Sequence, residues 1–158
     1  MKAIAVIDKN RALGKEGQLL YHLPSDLKHF KSETIGRTIV MGRKTVDSMP
    51  GGKPLPGRTT LMISRSIPFP DIPDDAIICG GAQIYKMFID QCDELVLTEV
   101  DAETEDADAY FPEFKDEFEL YEEGEQQEEN GIRFRINRYR RKAQPEEDFD
   151  AESAPQCE

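Results

Sequence analysis

No apolar run in this chain approaches the roughly 18 residues that a membrane span requires. Nor does a secretory h-region open it, since Met1-Lys2 leads straight into the short run A-I-A-V-I at residues 3–7. The expectation is a soluble, cytoplasmic chain with no membrane partner. Cysteine is scarce: Cys79, Cys92 and Cys157 are widely spaced and form no C-x-x-C pair, which argues against a disulfide framework or a zinc site. Histidine is limited to His22 and His29, with no H-E-x-x-H pattern, so no metal is expected. A G-x-G-x-x-G fingerprint and internal repeats are also missing.

Positive charge is in short supply as well. The chain of 158 residues has 20 Lys and Arg against 32 Asp and Glu, a net charge of −12. Residues 143–158 contain six of those acids and no Lys or Arg, which leaves −6 on residues 1–142. With two prolines and a single aromatic, Phe149, that tail reads as disordered rather than as a second domain. The division is one domain at 1–142, long enough for a proper core, and an acidic tail at 143–158. An acidic body argues against a nucleic-acid partner and leaves room for a local basic pocket.

The run at 3–7 lacks alternation, as expected for a central strand covered on both faces. Residues 8–17 follow as a polar loop. In L-L-Y-H-L-P-S-D-L-K-H-F at 19–30, Pro24 suits a first helical turn and predicts a helix from Pro24 to about Thr34. Leu23, Leu27 and Phe30 form a stripe expected to face the core, with Asp26 at its edge. From this stretch alone Asp26 serves equally as a half-buried functional acid and as a first-turn acid complementing the helix dipole.

Further strands are expected at 38–41, 59–63, 77–79 and 95–100. A short helix carrying Val46 and Met49 should follow Gly42-Arg43, and another should run from Ala82 to about Asp90 with Ile84, Met87 and Phe88 inward. The P-G-G-K-P-L-P-G-R stretch at 50–58 is a rigid, turn-rich connection. A late hairpin should pair an arm with Phe118 and Leu120 against one with Ile132, Phe134 and Ile136. This order implies an α/β fold: a mixed, mainly parallel central sheet flanked by helices, with a C-terminal antiparallel hairpin.

Two of these strands end in glycine and turn at once into a helix, at Gly42-Arg43 and at Gly80-Gly81. Such ends present free N–H groups to a phosphate in the crevice beyond a parallel sheet, although tight turns alone also account for the glycines. Arg43, Lys44 and Arg65 lie at the same ends. Singly they serve surface ion pairs; as a cluster they suit an extra phosphate such as the 2′-phosphate of NADP.

The motifs A-I-A-V-I-D, L-G, L-P-S-D-L-K-H-F, I-V-M-G-R-K-T, L-P-G-R, I-S-R, C-G-G-A-Q-I-Y, L-T and D-A-Y-F-P, in this order, resemble the dihydrofolate reductase family from residue 3 to about 141. The resemblance implies NADPH-dependent reduction of 7,8-dihydrofolate to tetrahydrofolate, in one-carbon and thymidylate metabolism. It implies that Asp26 holds the 2-amino and ring N–H groups of the pterin and promotes N5 protonation while hydride reaches C6. Desolvation of an acid at an apolar edge suits that role. Tyr21, Leu19 and Thr98 would share the reacting centre. Arg58 would bind the substrate's α-carboxylate, Phe30 and Leu55 would line the benzoyl groove, and Ala5, Leu27, Cys79 and Tyr85 would complete the substrate side. Leu13, Gly14 and Leu19 would belong to a loop closing over the site. The NADPH side would take Ala5, Leu13, Gly14, Gly42, Arg43, Lys44, Thr45, Ser48, Ser64, Arg65, Cys79, Gly80, Gly81, Ala82, Gln83, Ile84 and Tyr85. Cys79 also reads as a small buried hydrophobe.

Two departures from the family pattern stand near the loop: Tyr21 in place of a general Trp, and Leu20 in place of a frequent proline. A larger one lies between Arg65 and Ile77, where family members place an edge strand and a helix. Only residues 66–76 remain there, and Pro68, Pro70 and Pro73 speak against a helix. Eleven extended residues reach about 36 Å, enough for a return along the sheet across two strand spacings. The expectation is a trimmed fold with a shallower adenine pocket and a less covered sheet face, which predicts weakened cofactor affinity or a self-association surface on a chain otherwise expected to be a monomer. Two other functions stay open: a reductase of another pterin or pyrimidine on the same fold, and a catalytically idle or structural pterin- and NADPH-binding protein.

Overall fold

A computed structural model describes residues 1–15, 18–19, 23–47, 55–64, 71–105 and 107–142, apart from the side chains of 15, 18 and 19. In chain order the elements are β1 (Lys2–Ile7), β2 (Ala12–Lys15), β3 (Gln18–Leu19), α1 (Pro24–Thr34), β4 (Thr38–Gly42), α2 (Arg43–Asp47), β5 (Thr59–Ile63), β6 (Ile77–Ile78), α3 (Ala82–Phe88), β7 (Glu94–Val100), β8 (Ala109–Tyr110), β9 (Phe118–Glu122), β10 (Gln127–Glu129) and β11 (Ile132–Arg141). A 3₁₀ turn at Ile89–Gln91 continues α3. Tyr21, Ser48, Met49, Arg65, residues 66–70 and the acidic tail lie outside the described residues.

The main sheet has eight strands in the order β10-β11-β7-β1-β6-β4-β5, with β9 also on β11. β1 runs parallel to both β6 and β7. β4 runs parallel to β5 and β6, and β11 runs antiparallel to β7. The central position of β1 explains its unbroken apolar run. Ala3, Ala5 and Ile7 join one cluster with Ile84, Tyr85 and Phe88 of α3, whereas Ile4 joins another against which Phe30 of α1 packs. The two helices therefore cover opposite faces of the sheet.

β6 lies between β1 and β4, so β5 and β6, consecutive in the chain, stand two strand spacings apart in the sheet. Among the described residues β5 is the sheet's edge; Thr59 is exposed and Thr60, Leu61 and Met62 are half-buried.

Four expectations need correction. The stretch read as a polar loop contains β2, which pairs with β3 and β8 in a small antiparallel sheet. Its apolar content, Ala12 and Leu13 alone, is too short a run to announce a strand, although Ala12 is buried and Leu13 packs on the core. The late hairpin has a divided first arm: β10 faces Ile132–Phe134 of the continuous β11, while β9 faces its Arg138–Arg141 end across a register shift. Leu27 is 51% exposed, because the inward arc of α1 runs through Asp26, Phe30 and Thr34 and leaves Leu27 at the rim. Met87 is exposed too, since Ile84, Tyr85 and Phe88 define the buried arc of α3.

Candidate active site

α1 begins on Leu23, a residue that offers no side-chain cap, followed by Pro24 in the first turn. The Asp26 and Leu27 N–H groups donate to the Leu23 carbonyl at 3.0 and 3.1 Å. Asp26 thus enters the first turn facing the sheet and is 8% exposed. Thr98 on β7 donates its hydroxyl to Asp26 Oδ1. Burial pushes the Asp26 carboxyl above its ordinary range. The Thr98 hydrogen bond and the charge of His29 oppose that rise, and the carboxylate of Glu129 adds to it.

The other end of α1 holds a cation. Thr34 Oγ1 donates to the Phe30 carbonyl at 2.8 Å and accepts from Arg58 Nε at 2.9 Å. Arg58 Nη1 donates to the Pro56 carbonyl at 2.8 Å, so two bonds fix the guanidinium before any ligand arrives. It stands 5.9 Å from the Phe30 ring centre. Phe30, Leu55 and Cys79 pack on the apolar cluster of Ile4, Ile39, Met41, Ile77 and Val96. One side of α1 therefore presents an acid and a cation roughly 12 Å apart along the helix, with apolar surface between them.

Beyond the ends of β4 and β6 the two glycine turns meet. Gly42 N–H donates to the Gly80 carbonyl at 2.9 Å, and the Gly80–Gly81 peptide is cis. A Cβ on Gly42 would lie 3.1 Å from Ile84 Cγ1, and one on Gly81 would lie 3.3 Å from Thr45 Oγ1. The starts of α2 and α3 are thereby side by side, with Arg43 and Lys44 exposed beside them, Gln83 exposed, and Ile84 buried beneath. Ala82 and Ser64 are half-buried at the same rim. Close-approaching backbone, first-turn amides and two exposed cations fit a polyanionic dinucleotide.

Not every expected residue faces these two regions. Ala5 and Tyr85 belong to the cluster on the α3 side, and Tyr85 spends its hydroxyl on the Ile4 carbonyl at 2.6 Å. Cys79 Sγ lies 3.5 Å from the Ile77 carbonyl, and burial holds its thiol far above the ordinary range despite the charge of Arg58. It stays a neutral apolar wall. Gly14 pairs with Leu19, so the expected closing segment is anchored in the small sheet, where Leu13 is half-buried.

A family model for dihydrofolate reductase matches residues 1–141. The chain belongs to the dihydrofolate reductase family. It is 32% identical over 148 residues to the dihydrofolate reductase of Haemophilus influenzae, across 80% of this chain and 91% of that protein. It is 36% identical over 128 residues to dihydrofolate reductase type 3 of Salmonella typhimurium, across 70% of this chain and 77% of that protein. Its fold matches the Enterococcus faecalis dihydrofolate reductase complexed with NADP(H) and RAB-propyl, with a TM-score of 0.75 and 32% identity over 90% of this chain and 96% of that one. The function is accordingly of the dihydrofolate reductase kind, an oxidoreductase, on that family's mixed α/β fold.

Three features of this reductase have little or no signal in the sequence. Asp8, 3% exposed, accepts from the N–H groups of Asn10 and Ala12 on Oδ1 and of Thr104 on Oδ2, all at 2.8 Å. An acid followed by a polar turn is a weak hint of that role. Glu33 with Arg138, and Ser25 with Glu129, are separated by 105 and 104 residues, and no local pattern marks either pair.

Proposed function

We propose that this reductase converts 7,8-dihydrofolate to 5,6,7,8-tetrahydrofolate with NADPH, and that it serves one-carbon and thymidylate metabolism in the cytoplasm. The observation that carries this reading is the pairing of a buried Asp26 with a pre-fixed Arg58 along α1. A reduced pterin offers an amino group and a ring N–H to an acid, and its glutamate tail offers a carboxylate to a guanidinium.

Asp26 binds the pterin edge through its two oxygens and, with its pKa raised by burial, holds a proton for delivery through water to N5. Thr98 keeps that carboxyl oriented. Phe30 and Leu55 exclude water from the benzoyl groove, and Arg58 takes the α-carboxylate. The glycine turns with Thr45, Ala82 and Gln83, together with Arg43 and Lys44, would hold NADPH, which when bound supplies the hydride. The NADP(H) complex of the Enterococcus faecalis relative supports that choice of cofactor.

The test is the fall of NADPH absorbance on adding dihydrofolate, run beside NADH and beside Asp26→Asn. Consumption of NADPH that drops by roughly 10²–10⁴-fold in the variant is the expected result. Retained NADPH binding without turnover would move the assignment to another pterin or pyrimidine. Loss of NADPH binding would leave an idle relic of the fold.

A further inference from the structure

Helices normally begin on a residue whose side chain accepts from the first free N–H groups, and α1 does not. Leu23 has no acceptor and Pro24 has no N–H, so the first donor of the helix is the Ser25 N–H. That donor bonds to Glu129 Oε1 at 2.9 Å, and Ser25 Oγ donates to Glu129 Oε2 at 2.8 Å. Glu129 is the last residue of β10, immediately before Asn130 and Gly131, whose φ values of 54° and 78° form the tight turn into β11. The turn fixes where the carboxylate stands.

Resting on the reductase reading above, we propose that Glu129 is a positioning residue for the reaction: from the β10–β11 hairpin it caps the helix that carries Asp26 and holds that acid against Thr98. One side chain serves as both cap and charge. As a cap it supplies the acceptor that Leu23 lacks, and its negative charge complements the positive end of the helix. As a charge it acts on Asp26 one residue beyond Ser25 and disfavours ionisation. Among the described residues, the groups acting on Asp26 are Thr98 from β7, His29 from the next turn of α1, and Glu129 from β10. Burial pushes His29 below its ordinary range, which weakens its opposing charge as pH rises and leaves the Glu129 carboxylate as the lasting one.

Two variants separate the roles, because Glu129→Gln keeps an acceptor for Ser25 and loses the charge, whereas Glu129→Ala loses both. Amide exchange reads the cap: the first-turn amides of α1 should exchange roughly 2- to 30-fold faster in Glu129→Ala, the loss of one cap, and change little in Glu129→Gln. Carbon-13 NMR of the Asp26 carboxyl, assigned with Asp26→Asn, reads the charge. Its titration should move to lower pH in both variants, and the alkaline fall of the turnover profile should move with it. An Asp26 titration unmoved in both variants, or first-turn exchange unmoved in Glu129→Ala, overturns the proposal. Neither the amide exchange nor the carboxyl titration needs turnover, so a chain that fails to reduce dihydrofolate would sink the reductase reading while Glu129 is still decided.

Discussion

Arg138 Nη2 on β11 donates to Glu33 Oε2 on α1 at 2.6 Å, and so ties the last turn of the helix to the same hairpin that caps its first. Lys2 Nζ adds a contact to Glu33 at 3.3 Å, and Glu94 bridges both cations at 3.4 and 3.6 Å. Burial raises the Glu33 carboxyl, but the Arg138 hydrogen bond and the two positive charges outweigh it, and the net direction is downward from 4.5. A depressed carboxyl stabilises the fold above its unfolded pKa and loses that contribution as pH falls through the folded one. Glu33→Gln should therefore cost roughly 1.5–3 kcal/mol at neutral pH, nearer the lower figure because both side chains keep some solvent. Urea unfolding of the two proteins should converge as pH drops below 4.5, and a gap that persists in acid would contradict the assignment.

Asp26 has the opposite sign. Its raised pKa means that the folded chain resists ionising it, so its contribution is fully present below the unfolded pKa and is lost as pH rises through the folded value. Asp26→Asn removes that cost while preserving an acceptor for Thr98. The ligand-free variant should melt above the wild type at pH 7 and no higher than it in acid, even as turnover falls about 10²–10⁴-fold. A variant that is both inactive and less stable at neutral pH would point to a structural carboxylate instead.

Thr98→Val tests the same acid from the strand side. The Thr98 hydroxyl favours the carboxylate, so its removal should send the Asp26 titration, and with it the alkaline limb of the rate profile, to higher pH. Loss of a hydrogen bond to a charged group should also cost roughly 1.5–3 kcal/mol where Asp26 is ionised. A profile that moves down, or holds still, would show that the hydroxyl does not tune Asp26.

If NADPH is the cofactor, as proposed, Arg43 beside the Gly42 turn is the exposed cation placed to meet its extra phosphate. Arg43→Ser should raise the KM for NADPH by roughly 10- to 150-fold, the loss of one charge-assisted contact, and leave NADH nearly unchanged. Equal losses with both cofactors would place Arg43 outside the 2′-phosphate site.

Much of this architecture is legible because its signals are local. The start of α1 follows from Pro24, and the strands β1, β4, β5 and β7 follow from short apolar runs between polar punctuation. Asp26 and Arg58 stand in family motifs, and the same resemblance puts Thr98 at the reacting centre with Asp26. The unreadable parts are those where partners lie a hundred residues apart. Leu23 at the head of α1 gives no hint that Glu129 will cap it, and Glu33 reads as an ordinary helical acid until Arg138 arrives from the last strand. Leu27 misleads for a related reason, since an apolar residue at a helical spacing is read as core even where the helix leaves it exposed. β2 escapes because its pairing is carried by backbone groups, which leave no hydrophobic pattern.

Under the proposed function, Arg58 gives the sharpest test of which substrate is used. Its Nε and Nη1 are spent on Thr34 and Pro56, which leaves the planar group held in one orientation for an incoming carboxylate. Arg58→Ala should raise the KM for dihydrofolate by roughly 10- to 150-fold, equivalent to about 1.5–3 kcal/mol for a charge-assisted contact, with a smaller change in kcat. Arg58→Lys should recover little, because an ammonium keeps the charge but lacks the planar fork. A reduced pterin without the glutamate tail serves as the control. If Arg58→Ala slows that truncated substrate as much as dihydrofolate, the residue supports α1 through Thr34 rather than binding a carboxylate, and the substrate is a pterin whose recognition ends at Asp26.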